Sequence, residues 1–189
     1  MTLVIRLSWS KVMRYFFKGA ILVSLNIFNL FGSSASISNE LKEGQLAPSF
    51  SAIDQNNKRV SLSDFENKSN VVLYFYPKDD TPGCTAQACN LRDNISAIKE
   101  MNAVVLGVSA DDVRSHQEFA EKYHLPFSLL ADPKKEIISS YGVGMPLVGI
   151  AKRWTFIIGK DGVIKKIIKD VKTSGHDSQV LATLQVLNQ

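Results

Sequence analysis

The stretch that most constrains this 189-residue chain lies at residues 71–98, where a strand signal runs through a turn directly into a helix signal. Val71, Val72, Leu73, Tyr74, Phe75 and Tyr76 form a short apolar run, rich in β-branched and aromatic residues and closed by Pro77. Such a run reads as a buried strand. Thr81 followed by Pro82 predicts a helix start, with the threonine as N-cap and the proline in the first helical position. Cys84, Ala88, Leu91, Ile95 and Ile98 then recur in steps of four and three, the apolar face of an amphipathic helix. That helix is expected to run to about Met101.

Cys84 falls at about the third helical position. Free backbone N–H groups and the positive end of the helix dipole favour an anionic sulfur there. An isolated cysteine is more often a small buried hydrophobe. The helix start, the hydroxyl of Thr81 and a second cysteine, Cys89, favour a nucleophile instead. Gln87 and Asn90 read as the solvated side of the helix, and His116 and His124 as residues on or near a surface helix.

The remaining elements follow in order. Residues 50–54 and 60–62 flank the turn 55–58 and predict a β-hairpin; residues 63–65 read as a short helical turn. Residues 103–108 predict a second buried strand, and Ser109 with Asp112 a capping pattern for a helix over 113–123. Residues 127–130 predict a short strand, and Asp132-Pro133 the N-cap and first position of another helix, which breaks in the loop 142–146. Residues 154–158 and 163–168 read as a hairpin with Asp161-Gly162 at its turn. A final amphipathic helix carries Val180, Leu181, Leu184 and Leu187. Strands alternating with helices, closed by a hairpin and a helix, imply an α/β sandwich, and the length suits one domain.

The first 38 residues differ from the rest. They contain no Asp or Glu, and Arg6, Lys11, Arg14 and Lys18 precede an apolar run at 19–31 interrupted by Asn26 and Asn29. With Ser33 and Ala35 placed for a signal peptidase, residues 1–35 read as a signal peptide ahead of a domain at 36–189. The expectation is an exported, periplasmic protein that meets the membrane only through its leader, an uncleaved anchor being the alternative. Met13 offers an alternative start. Four of the 22 basic residues lie in this leader, leaving 18 against 18 acidic ones. The domain is therefore near neutral, and with no basic run interleaved with aromatics nucleic-acid binding is rejected.

The residues Pro77, Thr81 and Cys84 keep the spacing Pro-x-x-x-Thr-x-x-Cys, which closely resembles the active-site signature of the peroxiredoxins. Arg92-Asp93 and Lys172-Thr173-Ser174 extend the resemblance to the bacterioferritin comigratory (Q) subfamily, from about Leu41 to the C-terminus. The resemblance implies a thioredoxin-like α/β fold, a central mixed β-sheet flanked by helices with an N-terminal β-hairpin. It implies reduction of hydrogen peroxide or organic hydroperoxides, with Cys84 as the peroxidatic thiolate that becomes a sulfenic acid. Pro77 would shape and shield the site, Thr81 would offer its hydroxyl, and Arg153, where the family's distant arginine maps, would stabilise the thiolate and orient peroxide oxygens. Cys89 is implied as the resolving cysteine of an intramolecular disulfide with Cys84. A thioredoxin-like reductant would recycle the bridge. The expected protein is a monomer that needs no cofactor.

A structural bridge over so short a loop would gain little. A zinc site is weaker still, since the pair is Cys-x4-Cys and His116, His124 and His176 are scattered. Two other classes stay open: an exported thiol–disulfide oxidoreductase, which usually carries a Cys-x-x-Cys absent here, and a non-catalytic module with a structural disulfide.

Overall fold

The computed structural model describes residues 40–188. The expected leader at 1–35 and the alternative start at Met13 lie outside the described residues.

Seven strands make one sheet: β1 (Ser51–Asp54), β2 (Arg59–Ser61), β3 (Asn70–Phe75), β4 (Ala103–Ser109), β5 (Ser128–Ala131), β6 (Thr155–Ile158) and β7 (Ile164–Ile168). Their spatial order is β2-β1-β5-β4-β3-β6-β7. The middle strands β5, β4 and β3 are parallel, and every other pairing is antiparallel. Among the described residues a 3-10 turn at Leu62–Phe65 and five α-helices complete the fold: α1 (Pro82–Asp93), α2 (Ile95–Glu100), α3 (Val113–Tyr123), α4 (Glu136–Ser140) and α5 (His176–Leu187). This is the expected thioredoxin-like arrangement, with β1 and β2 as the N-terminal hairpin. In the β6–β7 hairpin Gly162 has φ +73°, the left-handed turn residue that the Asp-Gly pair predicts.

Strand β3 lies between β4 and β6, and all six of its residues are buried. Burial on both faces explains why its sequence is continuously apolar rather than alternating. Val71, Leu73 and Phe75 pack on one face with Ile137, Ile138 and Phe156. Val72 and Tyr74 pack on the other with Cys84, Ala88, Leu91, Val180 and Leu184. The strand thus carries the chain to its own C-terminal end and delivers the cysteine helix onto the second face.

Three predicted elements differ in detail. The cysteine helix does not continue to Met101: it stops at Asp93, and α2 begins after Asn94, whose φ of −113° is not helical. The Asn94 amide donates to the Asn90 carbonyl at 3.5 Å, a local side-chain bond of the kind that competes with the helix ladder. Leu91 and Ile98 remain fully buried on either side, so the packing face survives the break. Ahead of α3 the capping residue is Asp112, which accepts from the Ser115 amide at 2.9 Å, while Ser109 bonds Asp111 instead. Helix α4 starts at Glu136 rather than beside Pro133, with Lys135 left-handed at φ +60°. Asp132 still caps it from a distance, accepting from the Glu136 and Ile138 amides at 2.8 Å each.

Candidate active site

Beyond β3 the chain turns sharply through Pro77, Lys78, Asp79 and Asp80. Asp80 adopts φ +54°, which aspartate tolerates better than most residues. Thr81 is the N-cap by backbone geometry, at φ −86° and ψ 149°, with Pro82 next. Its carbonyl accepts from the Thr85 amide at 2.8 Å, but its hydroxyl does not cap the helix. It donates to the Lys78 carbonyl at 3.1 Å, closing the turn.

Cys84 lies in the first turn of α1, 1% exposed. The Arg153 guanidinium, arriving from the segment before β6, donates through Nη2 to its sulfur at 3.3 Å. Position 83 lets it in: a Cβ on Gly83 would stand 3.3 Å from that same Nη2. The guanidinium and the helix terminus converge on one sulfur atom. Cys84 and Cys89 are both free, Cys89 being half-buried five residues along the same helix. The half-buried Pro77 and Thr81 occupy the connecting turn.

Gln87, read as solvated, is fully buried. Its side-chain oxygen accepts from Arg153 Nη1 at 2.5 Å, and its amide nitrogen lies 3.1 Å from His176 Nδ1. Nε2 of that histidine is 2.9 Å from the Thr155 hydroxyl. Asn90 also turns inward, accepting from the backbone amide of Asp177 at 2.7 Å, which pins the start of α5 to α1. The signal for Gln87 was present, since it lies three residues after Cys84 and shares its side of the helix. His176 is 89 positions from Gln87, and no local pattern announces it.

The turn before the cysteine is fixed by a second buried network. Asp79 accepts from the Tyr76 hydroxyl at 2.7 Å and the Ser115 hydroxyl at 2.7 Å, and its Oδ2 lies 2.8 Å from His116 Nδ1. His116 does lie on α3, as expected, but its side chain is fully buried. Its spacing of three and four from the buried Phe119 and Ala120 placed it on the inner face. His124 is exposed at the end of α3. Asp80 accepts from Lys122 Nζ and the Tyr123 hydroxyl, each at 2.6 Å.

A buried thiol at a helix start, met by an arginine from across a thioredoxin-like sheet, is the equipment of a thiol-dependent redox enzyme. The AhpC/TSA family model matches residues 44–167. A Bcp-named peroxiredoxin of Coxiella burnetii (strain RSA 493 / Nine Mile phase I) is 43% identical over 151 residues, 76% of this chain and 99% of that one. Peroxiredoxin Bcp of Escherichia coli (strain K12) is 43% identical over 154 residues, 78% of this chain and 97% of that one. The crystal structure of peroxidoxin BcpB from Mycobacterium tuberculosis superposes with a TM-score of 0.73 at 34% identity, covering 78% of this chain and 98% of that one. The chain belongs to the AhpC/TSA family, within its Bcp/peroxiredoxin Q branch, and is a thiol-dependent peroxidase.

The assignment to export and the periplasm does not stand. The two bacterial relatives are matched over 99% and 97% of their own lengths, leaving almost nothing in either with which a leader could align. No helix among the described residues is long and apolar enough to cross a membrane.

Proposed function

We propose that Cys84 is the peroxidatic residue of an atypical two-cysteine peroxidase and that Cys89 resolves it. The thiolate of Cys84 attacks one oxygen of hydrogen peroxide or an organic hydroperoxide. The O–O bond breaks, the departing oxygen leaves as water or alcohol after taking a proton, and the sulfur becomes a sulfenic acid. The Cys89 thiol then attacks that sulfur, water leaves, and a Cys84–Cys89 disulfide forms. A thioredoxin-type dithiol reduces the bridge by exchange and is itself oxidised. The domain at 36–189 does this as a monomer. Arg153 holds negative charge on the sulfur and then on the leaving oxygen. Thr81, whose hydroxyl proton goes to the Lys78 carbonyl, accepts from the peroxide with the lone pairs left, and Pro77 keeps water from the turn.

The observation that carries this reading is the 3.3 Å contact of the Arg153 guanidinium with Cys84 Sγ at the start of a helix. A merely structural cysteine needs no such cation. The test is to follow peroxide consumed by the reduced protein, without and with a thioredoxin-type reductant. Cys84→Ser should consume none. Cys89→Ser should consume one equivalent and then stop, reductant or not. If Cys84→Ser retained the first oxidation and Cys89→Ser lost it, the two roles would be reversed.

A further inference from the structure

The buried polar side chains behind Arg153 admit only one arrangement of protons. Arginine donates and never accepts, so the Gln87 atom 2.5 Å from Arg153 Nη1 is the carbonyl oxygen. The Gln87 atom facing His176 at 3.1 Å is therefore the amide nitrogen, a donor. His176 Nδ1 must then be bare to accept it, which leaves the imidazole proton on Nε2, donated to the Thr155 hydroxyl at 2.9 Å. Each assignment follows from its neighbour, and the sequence of bonds ends 3.3 Å from the cysteine sulfur.

We propose that His176 is a positioning residue for peroxide reduction: its bare Nδ1 fixes the Gln87 amide, and the amide oxygen so presented holds Arg153 over Cys84. The proposal rests on the roles given above to Cys84 and Arg153. Without an acceptor at Nδ1 the Gln87 amide could turn over, and its NH2 would then face the guanidinium, donor against donor. His176 is suited to this by being neutral and unable to move. Its ring is fully buried and lies edge-on to Tyr74, with centroids 6.2 Å apart and planes at 71°. Burial lowers its pKa to about 4, the charge of Arg153 acting in the same direction and that of Asp177 opposing. The ring is therefore an acceptor throughout the neutral range. The backbone bond from Asp177 to Asn90 keeps the start of α5, and with it the ring, in register with α1.

Two substitutions separate this role from simple packing. In His176→Asn the side-chain oxygen can occupy the place of Nδ1 and still accept from Gln87, while the bond to Thr155 is lost. In His176→Gln the polar atoms reach the place of Nε2, so Thr155 keeps a partner and Gln87 does not. Single-turnover stopped-flow oxidation of the reduced protein by hydrogen peroxide should slow about tenfold in His176→Gln, the scale of one hydrogen bond. His176→Asn should keep most of the wild-type rate. Equal rates in the two variants, or a slower His176→Asn, would overturn the proposal. Should either variant not fold, nitrogen-detected NMR of the reduced wild-type protein decides: a proton on Nε2 at neutral pH upholds the assignment, and one on Nδ1 overturns it. That measurement does not involve the reaction. Peroxide consumption by Cys84→Ser would defeat the reading of Cys84 while leaving the tautomer result intact.

Discussion

The two sides of Cys84 are held in opposite ways. Upstream, the turn at residues 77–81 is clamped to α3 by two carboxylates: Asp79, buried against Tyr76, Ser115 and His116, and Asp80, at the surface with Lys122 and Tyr123. Downstream, α1 is tied to the fold by bonds spread over separate side chains: Gln87 with Arg153 and His176, Asn90 with the Asp177 amide, and Arg92 with the Tyr123 carbonyl at 2.6 Å. A many-bonded buried carboxylate resists removal, whereas bonds carried by separate side chains can be released one at a time. The difference suits the proposed cycle, in which the attacking sulfur needs a fixed entrance and Cys89 would later be brought to it.

The largest effect is expected at Asp79. Asp79→Ala leaves the Tyr76 and Ser115 hydroxyls and the fully buried His116 without their acceptor. The expected loss is about 3–5 kcal/mol of stability, the range for truncating one member of a buried pair, read by urea unfolding. A loss under about 1 kcal/mol, the worth of an ordinary hydrogen bond, would mean that the clamp is not rigid.

The downstream side is weakened by acid. His176 has its pKa lowered to about 4 from the ordinary histidine value of about 6.5, chiefly by burial. Because the folded pKa is the lower one, the unfolded chain takes up the proton first. Stability is full above about pH 6.5, is lost as the pH falls towards 4, and levels off below it. The total is about 3 kcal/mol. Subtracting the stability-versus-pH curve of His176→Asn from that of the wild type should isolate this window; a flat difference would show that the histidine titrates normally.

At the junction of the two sides, Arg153→Ala and Thr81→Val should each slow the first oxidation by a factor on the order of 10². Stopped-flow rates check this, and unchanged rates would remove those groups from the chemistry.

Much of this was legible before the fold was known. The apolar run of β3, the proline at the first position of α1 and the Asp161-Gly162 turn are local signals, and local physics fixes them. The spacing of Pro77, Thr81 and Cys84 pointed to the chemistry. What escaped was the polar interior. Gln87 and Asn90 looked solvated, and His116 close to the surface, because polar residues usually are, yet each bonds a partner that only the tertiary fold supplies. His176 and Thr155 belong to elements that meet α1 only after the sheet has closed. The break at Asn94 escaped for a different reason: the apolar period runs through it unchanged.

In the proposed cycle α1 yields during catalysis while the turn before it does not. Five residues along one regular helix separate Cys84 from Cys89 by a rise of about 7.5 Å and a rotation of about 140°, which places their Cα atoms roughly 8–9 Å apart. A disulfide needs them within about 7 Å, with converging Cβ vectors. The proposed bridge therefore requires the first turns of α1 to unwind, a local opening far cheaper than global unfolding. Amide hydrogen exchange on the reduced protein and on the protein oxidised by one equivalent of peroxide, its disulfide verified by mass, measures this directly. Exchange should quicken over residues 84–91 in the oxidised form, with residues 71–76 unchanged. Equal protection of residues 84–91 in both redox states would contradict it.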